Sequence, residues 1–191
     1  MLGAGTVIPG VRVTVPAGWT SSENDSGEFN LHLPGHPGEG VDLWLNLVAV
    51  KSTGPGHGTT VLENVGRTPT ALVHWLTTNP DFRILAPPVR TSFGNTAMTT
   101  LVVGVSSTAR YGDPGCPGNP HCADLFTNPV YWGNNSYGIG GKEVVRLFLG
   151  RSSPGTIIVA LDADNPVALK PLETAAKPIL DSVRLPSSPS G

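Results

Sequence analysis

The chemically versatile side chains of this sequence are few. Two cysteines, Cys116 and Cys122, lie in the stretch GDPGCPGNPHCADLF, and five histidines, His32, His36, His57, His74 and His121, are spread along the chain. Glycine and proline are dense around the cysteines, so neither a helix nor a central strand is expected to run through them. A loop this short brings two sulfurs within bonding reach, and closing it would constrain the unfolded chain by about 2 kcal/mol. The spacing predicts a small-loop disulfide between Cys116 and Cys122, and with it an oxidising compartment. The competing chemistry is a metal site with His121 as third ligand. His121 adjoins Cys122, however, and that spacing matches no usual zinc pattern.

The remaining titratable groups form no motif with a mechanism attached. G-x-S-x-G, H-E-x-x-H, G-x-x-x-x-G-K-S/T and a G-x-G-x-x-G opening a helix are all missing. The GIGG run at 138–141 precedes a strand pattern, so no helix N-terminus follows it to receive a phosphate. Ser106, His121 and Asp124 compose a nucleophilic set on paper, as almost any chain of this size allows. His36 in PGHPG and His57 in PGHGT would make an acid–base pair or a surface metal site only if their loops converged. His32 alternates with Leu31 and Leu33 and reads as a residue on a solvated or helix-covered strand face, and His74 as a helix-boundary residue. Asp162, Asp164 and Asn165 offer oxygens to a hard cation, but they fit better as a solvated turn leading into a helix cap. The sequence assigns no catalytic residue, no metal ligand and no cofactor.

The segment FTNPVYWGNNSYGIGG, residues 126–141, is the richest in binding chemistry. It sets Phe126, Tyr131, Trp132 and Tyr137 among Asn128, Asn134, Asn135 and Ser136, so flat apolar faces lie beside amide donors and acceptors. Phe126, Tyr131, Trp132, Asn134, Asn135 and Tyr137 are therefore the candidate binding residues, for a small molecule, a glycan or another protein. The alternative is that these aromatics fold back to cap an exposed sheet edge, since a long segment must bury something to be ordered.

The elements that must position these residues are mostly strands. VRVTV at 11–15 alternates and stops at Pro16, and EFNLHL at 28–33 alternates with Phe29, Leu31 and Leu33 on one face. Residues 41–50 form the longest strand pattern, with Val41, Leu43, Leu45 and Leu47 on one face and Asp42, Trp44 and Asn46 on the other. Thr68 caps a helix with Pro69 at its first position and Leu72, Trp75 and Leu76 in one stripe, ending at Asn79–Pro80. A strand over 82–86 follows, then a hairpin of 89–93 and 96–105 turning at Gly94–Asn95. Ser106 to Gly141 reads as one long irregular stretch, of the kind that is functional or disordered. A second hairpin pairs 143–149 with 156–161. Asn165 then caps a helix that Pro171 and Pro178 should break into two pieces.

Composition limits what such a framework does. The chain has 191 residues, 39% hydrophobic and 14% charged, with 24 glycines, 19 prolines and a formal net charge of -2. One core is the expectation at this length, and the charge balance excludes a basic nucleic-acid binder. No segment is apolar over the 18 residues or so that a membrane span needs. MLGAGTVIPG lacks the basic start and apolar run of a signal peptide, so the sequence reads as cytosolic or as a trimmed mature domain, and the cysteine loop favours the second.

The order of VTVPAGW, the helix PTALVHWLTTNPDF, the hairpin SFGNTAMTTLVV, a cysteine-containing loop and the ending TIIVALDADNPVALKPLETAAKPILDSVRLP resembles the PsbP-like α/β/α sandwich family, as in extracytoplasmic bacterial lipoproteins of the LpqN type. The resemblance runs from about Val11 to Pro186, rests on fold-forming motifs and implies no catalytic residue. It implies an α+β fold: a central antiparallel sheet of about six to seven strands flanked by a few helices. The expected organisation is an N-terminal tail or expression remnant at 1–10, a single domain at 11–186 and a tail at 187–191. The expected function is a non-enzymatic extracytoplasmic ligand-binding or protein-interaction domain, lipoprotein-like or a sensor module of a membrane-anchored protein. It would bind no nucleic acid and insert no segment into a membrane. The alternatives are a secreted hydrolase acting on cell-wall or carbohydrate material, and a structural subunit that buries the long segment against another chain.

Overall fold

A computed structural model describes residues 10–21, 28–52, 59–93, 96–109, 121–130, 132, 136–152 and 155–185. The strands are β1 (Thr20–Ser21), β2 (Glu28–Leu33), β3 (His36–Leu45), β4 (Val48–Ser52), β5 (Thr59–Val61), β6 (Phe82–Phe93), β7 (Thr96–Val105), β8 (Cys122–Thr127), β9 (Tyr137–Gly140), β10 (Val144–Ser152) and β11 (Gly155–Ala163). Two helices, α1 (Pro69–Thr78) and α2 (Pro166–Ser182), complete the fold. A seven-stranded antiparallel sheet runs β1-β2-β3-β11-β10-β7-β6, which meets the expected strand number. A four-stranded sheet, β5-β4-β8-β9, was not foreseen.

The main sheet is apolar on both faces, and each face has its own cover. On one side Leu31, Val41, Leu43, Val159 and Leu161 pack against Leu169, Leu172, Ala176 and Ile179 of α2. On the other, Trp44, Leu101, Val103, Leu147, Ile158 and Ala160 pack against Leu72, Trp75 and Leu76 of α1 and against Ala49, Leu125, Phe126 and Ile139 of the small sheet. Continuous apolar runs such as TIIVAL in β11 follow from this two-sided burial, because a strand covered on both faces loses the polar half of its alternation.

Several expectations are corrected. The run over 41–50 is two strands, not one: Asn46 sits at φ 56°, in the left-handed region that asparagine tolerates. The chain leaves the main sheet there, and Leu47 joins the core on Trp44's side instead of continuing the Leu45 face. The stretch from Ser106 to Gly141 is not irregular throughout, because it contains β8, every residue of which is buried, and β9. Residues 82–93 form one strand with register shifts around Ala86 and Val89, and Pro87 and Pro88 are accommodated because β6 is a sheet edge. The VRVTV segment forms no strand: it makes an isolated bridge, Arg12 to Arg184, and Thr14 bonds Ser182 at the end of α2.

The terminal helix corrects the largest misreading. α2 runs unbroken through Pro171 and Pro178. Both prolines are on the exposed side, where water satisfies the carbonyls that lose their amide partners, while the buried stripe anchors the helix along its length. The expected caps hold: Asn165 accepts from the amides of Val167 and Ala168 at 2.9 and 3.1 Å, and Thr68 from Ala71 at 3.3 Å.

Candidate functional site

Pairing along β2, β3 and β11 sets the site. Glu28 lies opposite Trp44, Asn30 opposite Asp42 and His32 opposite Gly40, while Gly40 and Asp42 lie opposite Asp162 and Ala160 on β11. Because strand side chains alternate, Glu28, Asn30, His32, Asp42, Trp44 and Asp162 all project to the face that α2 does not cover. With Trp132, Ser136, Tyr137, Glu39 and Glu143 they line a cavity of about 500 Å³. Gly38 and Gly40 form part of its wall, and a Cβ at Gly40 would lie 2.5 Å from the Leu31 carbonyl oxygen. Only glycine fits this close approach of β2's backbone.

Glu28 organises the aromatic wall. Its Oε1 accepts the indole N–H of Trp44 at 3.0 Å and its Oε2 that of Trp132 at 2.8 Å. The two rings stand edge to face, 6.2 Å apart at 82°, and Trp44 also contacts the Tyr137 ring at 4.6 Å. Tyr137 donates its hydroxyl to Asp162 Oδ2 at 2.9 Å. Glu143 accepts the Gly140 amide at 2.9 Å, tying the start of β10 to the end of β9.

Among the described residues five carboxyl side chains, Glu28, Glu39, Asp42, Glu143 and Asp162, share this wall, and no lysine or arginine joins them. Burial, with the neighbouring charges of Glu143 and Asp42, holds the Asp162 carboxyl well above the ordinary carboxylate range. Burial and the charges of Asp162, Asp42 and Glu143 likewise raise the Tyr137 phenol. Asp162 is therefore not the solvated turn residue expected from sequence; it belongs to β11, and its carboxyl is buried. Asp164, two residues on, is exposed.

The candidate binding residues separate. Trp132 and Tyr137 line the cavity. Phe126 does not: it is fully buried in the core, 6.0 Å from the Trp75 ring. Tyr131, Asn134 and Asn135 lie outside the described residues, as do His57 and Cys116. Cys122 opens β8, is buried, and is not a free thiol; its expected partner falls in the undescribed stretch. His121 turns Nδ1 to the Ala109 carbonyl at 2.9 Å. The paper triad does not assemble, since Ser106 Oγ pairs with Thr108 and Asp124 accepts from Ser136 at 2.6 Å. His36 is exposed beside Glu39 at 3.6 Å, and His74 is exposed on α1.

Glu28, Asp42, Trp44 and Glu143 were missed by reading the sequence for chemistry, and Asp162 was considered there only as a turn residue. The available signal was the polar half of EFNLHL facing the polar half of VDLWL, which becomes a site only once β2 and β3 are paired in register. Among the described residues no three His, Cys, Asp or Glu side chains are arranged to hold a metal ion.

No family model and no curated protein matches the chain. Among solved structures, cyanobacterial PsbP (CyanoP) from Synechocystis sp. PCC 6803 is similar over 92% of this chain and 86% of that one, at 10% identity and a TM-score of 0.46. LpqN, involved in cell envelope biogenesis of Mycobacterium tuberculosis, is similar over 93% of this chain and 86% of that one, at 13% identity and a TM-score of 0.42. The α+β sandwich itself is carried by the chain's own strand order and layers, and the site residues take nothing from either neighbour.

Proposed function

We propose that the chain is a non-enzymatic, extracytoplasmic ligand-binding domain whose site is the cavity between β2, β3, β11 and the Trp132–Tyr137 region. The observation that carries this reading is the double acceptance by Glu28. One carboxylate fixes two indoles contributed from distant parts of the chain, so the aromatic corner is rigid before any ligand arrives, and rigidity lowers the entropy cost of binding. The cavity volume of about 500 Å³ falls within the range of small-molecule sites. The extracytoplasmic location is part of the proposal and rests on the Cys116 and Cys122 loop. No helix among the described residues is long and apolar enough to cross a membrane.

A hydrolase is the second reading, and Asp162 is the observation that favours it. A carboxyl whose pKa is raised by burial and by the charges of Glu143 and Asp42 is the arrangement a general acid requires. Against it, the Glu28 oxygens are both committed to indoles, and Glu143 accepts a backbone amide. The structural-subunit reading gains no support, because the exposed large apolar side chains among the described residues are isolated ones: Leu85 and Val89 on β6, Val130 after β8, and Val167 on α2.

Tryptophan fluorescence titrations with amine and sugar probes, run beside turnover assays on chromogenic glycosides from pH 4 to 9, separate the readings. Saturable fluorescence change without turnover is the expected result. Turnover that Asp162→Asn abolishes would replace the binding reading with the hydrolase one.

A further inference from the structure

We infer that the cavity takes an organic cation carrying N–H donors, an alkylammonium or guanidinium group, seated between the Trp44, Trp132 and Tyr137 rings and the Asp42, Glu143 and Asp162 carboxyls. The inference deepens the binding reading above and rests on it.

Charge is the first support. Among the described residues the lining holds five carboxyl side chains and no lysine or arginine, in a chain whose formal net charge is only -2, so acidity is concentrated in the cavity. Such a concave, single-sign surface focuses its field on an incoming cation.

Two unpartnered atoms supply the second, independent support. Asn30 Oδ1 and Asp162 Oδ1 are buried, line this same cavity and have no hydrogen-bond partner. Asn30 Oδ1 can only accept, and Asp162 Oδ1 accepts once its carboxyl is ionised. A ligand bringing N–H groups would supply the missing donors. An anion or an acceptor-rich ligand would leave Asn30 Oδ1 unsatisfied.

The aromatic wall decides between an inorganic and an organic cation. Trp132 and Tyr137, both half-buried and backed by the buried Trp44, offer ring surfaces that an ammonium and its attached methylenes both use, one through cation–π attraction and the other through apolar contact. A bare metal ion would leave those rings idle, and no metal-holding trio is found among the described residues. Burial and the charges of Glu143 and Asp42 raise the Asp162 carboxyl, and a cation seated beside it would favour its ionised form. The groups that face Asp162 are Tyr137 on β9, Asp42 on β3, Gly40 across the strand pair and Glu143 before β10, with Glu39 and His32 on the same wall. Affinity for the cation is therefore expected to rise with pH through the titration of Asp162.

The test is calorimetric titration of the oxidised protein with cadaverine, agmatine, tetramethylammonium and sucrose, with Trp132→Phe, Trp132→Ala and Asp162→Asn as variants. Thermal melts establish that each variant is folded. Cadaverine and agmatine should bind, tetramethylammonium, which has no N–H, at least fivefold more weakly, and sucrose not at all. Binding should weaken at least tenfold in Asp162→Asn, several-fold in Trp132→Ala, and tighten from pH 5 to pH 8. Sucrose binding that Trp132→Ala removes, with no amine binding, would overturn the cation inference and leave the cavity reading standing. Amine binding unchanged in Asp162→Asn and Trp132→Ala would place the amine on surface carboxylates and overturn the inference. Silence from every probe at 10 mM would overturn both.

Discussion

At the scale of single residues, Glu28 and Asp162 have opposite roles. Glu28 stabilises the native state by pairing two buried indole donors, so Glu28→Ala should cost about 1–3 kcal/mol in denaturant unfolding and red-shift the tryptophan emission as Trp132 loosens. Asp162 is a group whose native pKa lies above its unfolded value. The native state then holds a proton that the unfolded chain has lost, and the stability this contributes is present below the ordinary carboxylate range and is lost as pH rises through the raised native value. Asp162→Asn keeps an oxygen for the Tyr137 hydroxyl and removes the titration. Its melting temperature should therefore gain on the parent protein as pH rises from 4 to 8, read by calorimetry at fixed ionic strength. A parent protein no more pH-dependent than the variant would show that the carboxyl is not perturbed.

At the scale of elements, local rules decided most starts and stops but not continuity. Thr68 and Asn165 cap their helices as their residue types require, and Leu72, Trp75 and Leu76 form the buried stripe that their spacing announces. The prolines of α2 were misread because the cost of a proline depends on where its ring and the orphaned carbonyl point, which one-dimensional spacing does not contain. Pro171 is exposed in a helix anchored by Leu169, Leu172, Ala176 and Ile179. Pro171→Ala should restore a backbone hydrogen bond and raise stability by up to about 3 kcal/mol in urea unfolding. The break at Asn46 is a similar case: asparagine at a positive φ is permitted by its type, but only the departure of β4 to the second sheet requires it.

At the scale of the whole molecule, one seven-stranded sheet divides two cores, and the site occupies the end of one face where the small sheet and the Trp132 region replace solid packing by a cavity. The cysteine loop belongs to this scale because it precedes β8, the strand that joins the two halves of the small sheet. Intact mass under non-reducing conditions should be about 2 Da below the reduced value, with peptide mapping linking Cys116 to Cys122. Reduction should lower stability by about 2 kcal/mol without unfolding the chain, because both cores are assembled without the bridge. Two alkylatable thiols in the native protein would remove the basis for the extracytoplasmic proposal.

The sequence by itself determined the α+β class, the antiparallel main sheet, both helix caps and the aromatic character of the 126–141 segment. The caps and the aromatic character depend on residue types within a few positions, and the class and the sheet on the order of the elements and the family resemblance that order carries. Only the tertiary structure decided which polar residues meet. Glu28, Trp44 and Trp132 are joined by a strand register and a contact across 104 positions, and Asp162 is buried by strands that sequence spacing does not bring together. Phe126 left the binding set for the core for the same reason: an aromatic side chain looks alike in a groove and in a core until its neighbours are known. A carboxylate changes meaning in the same way, since its charge state follows from burial and from the charges around it, and both are properties of the assembled fold.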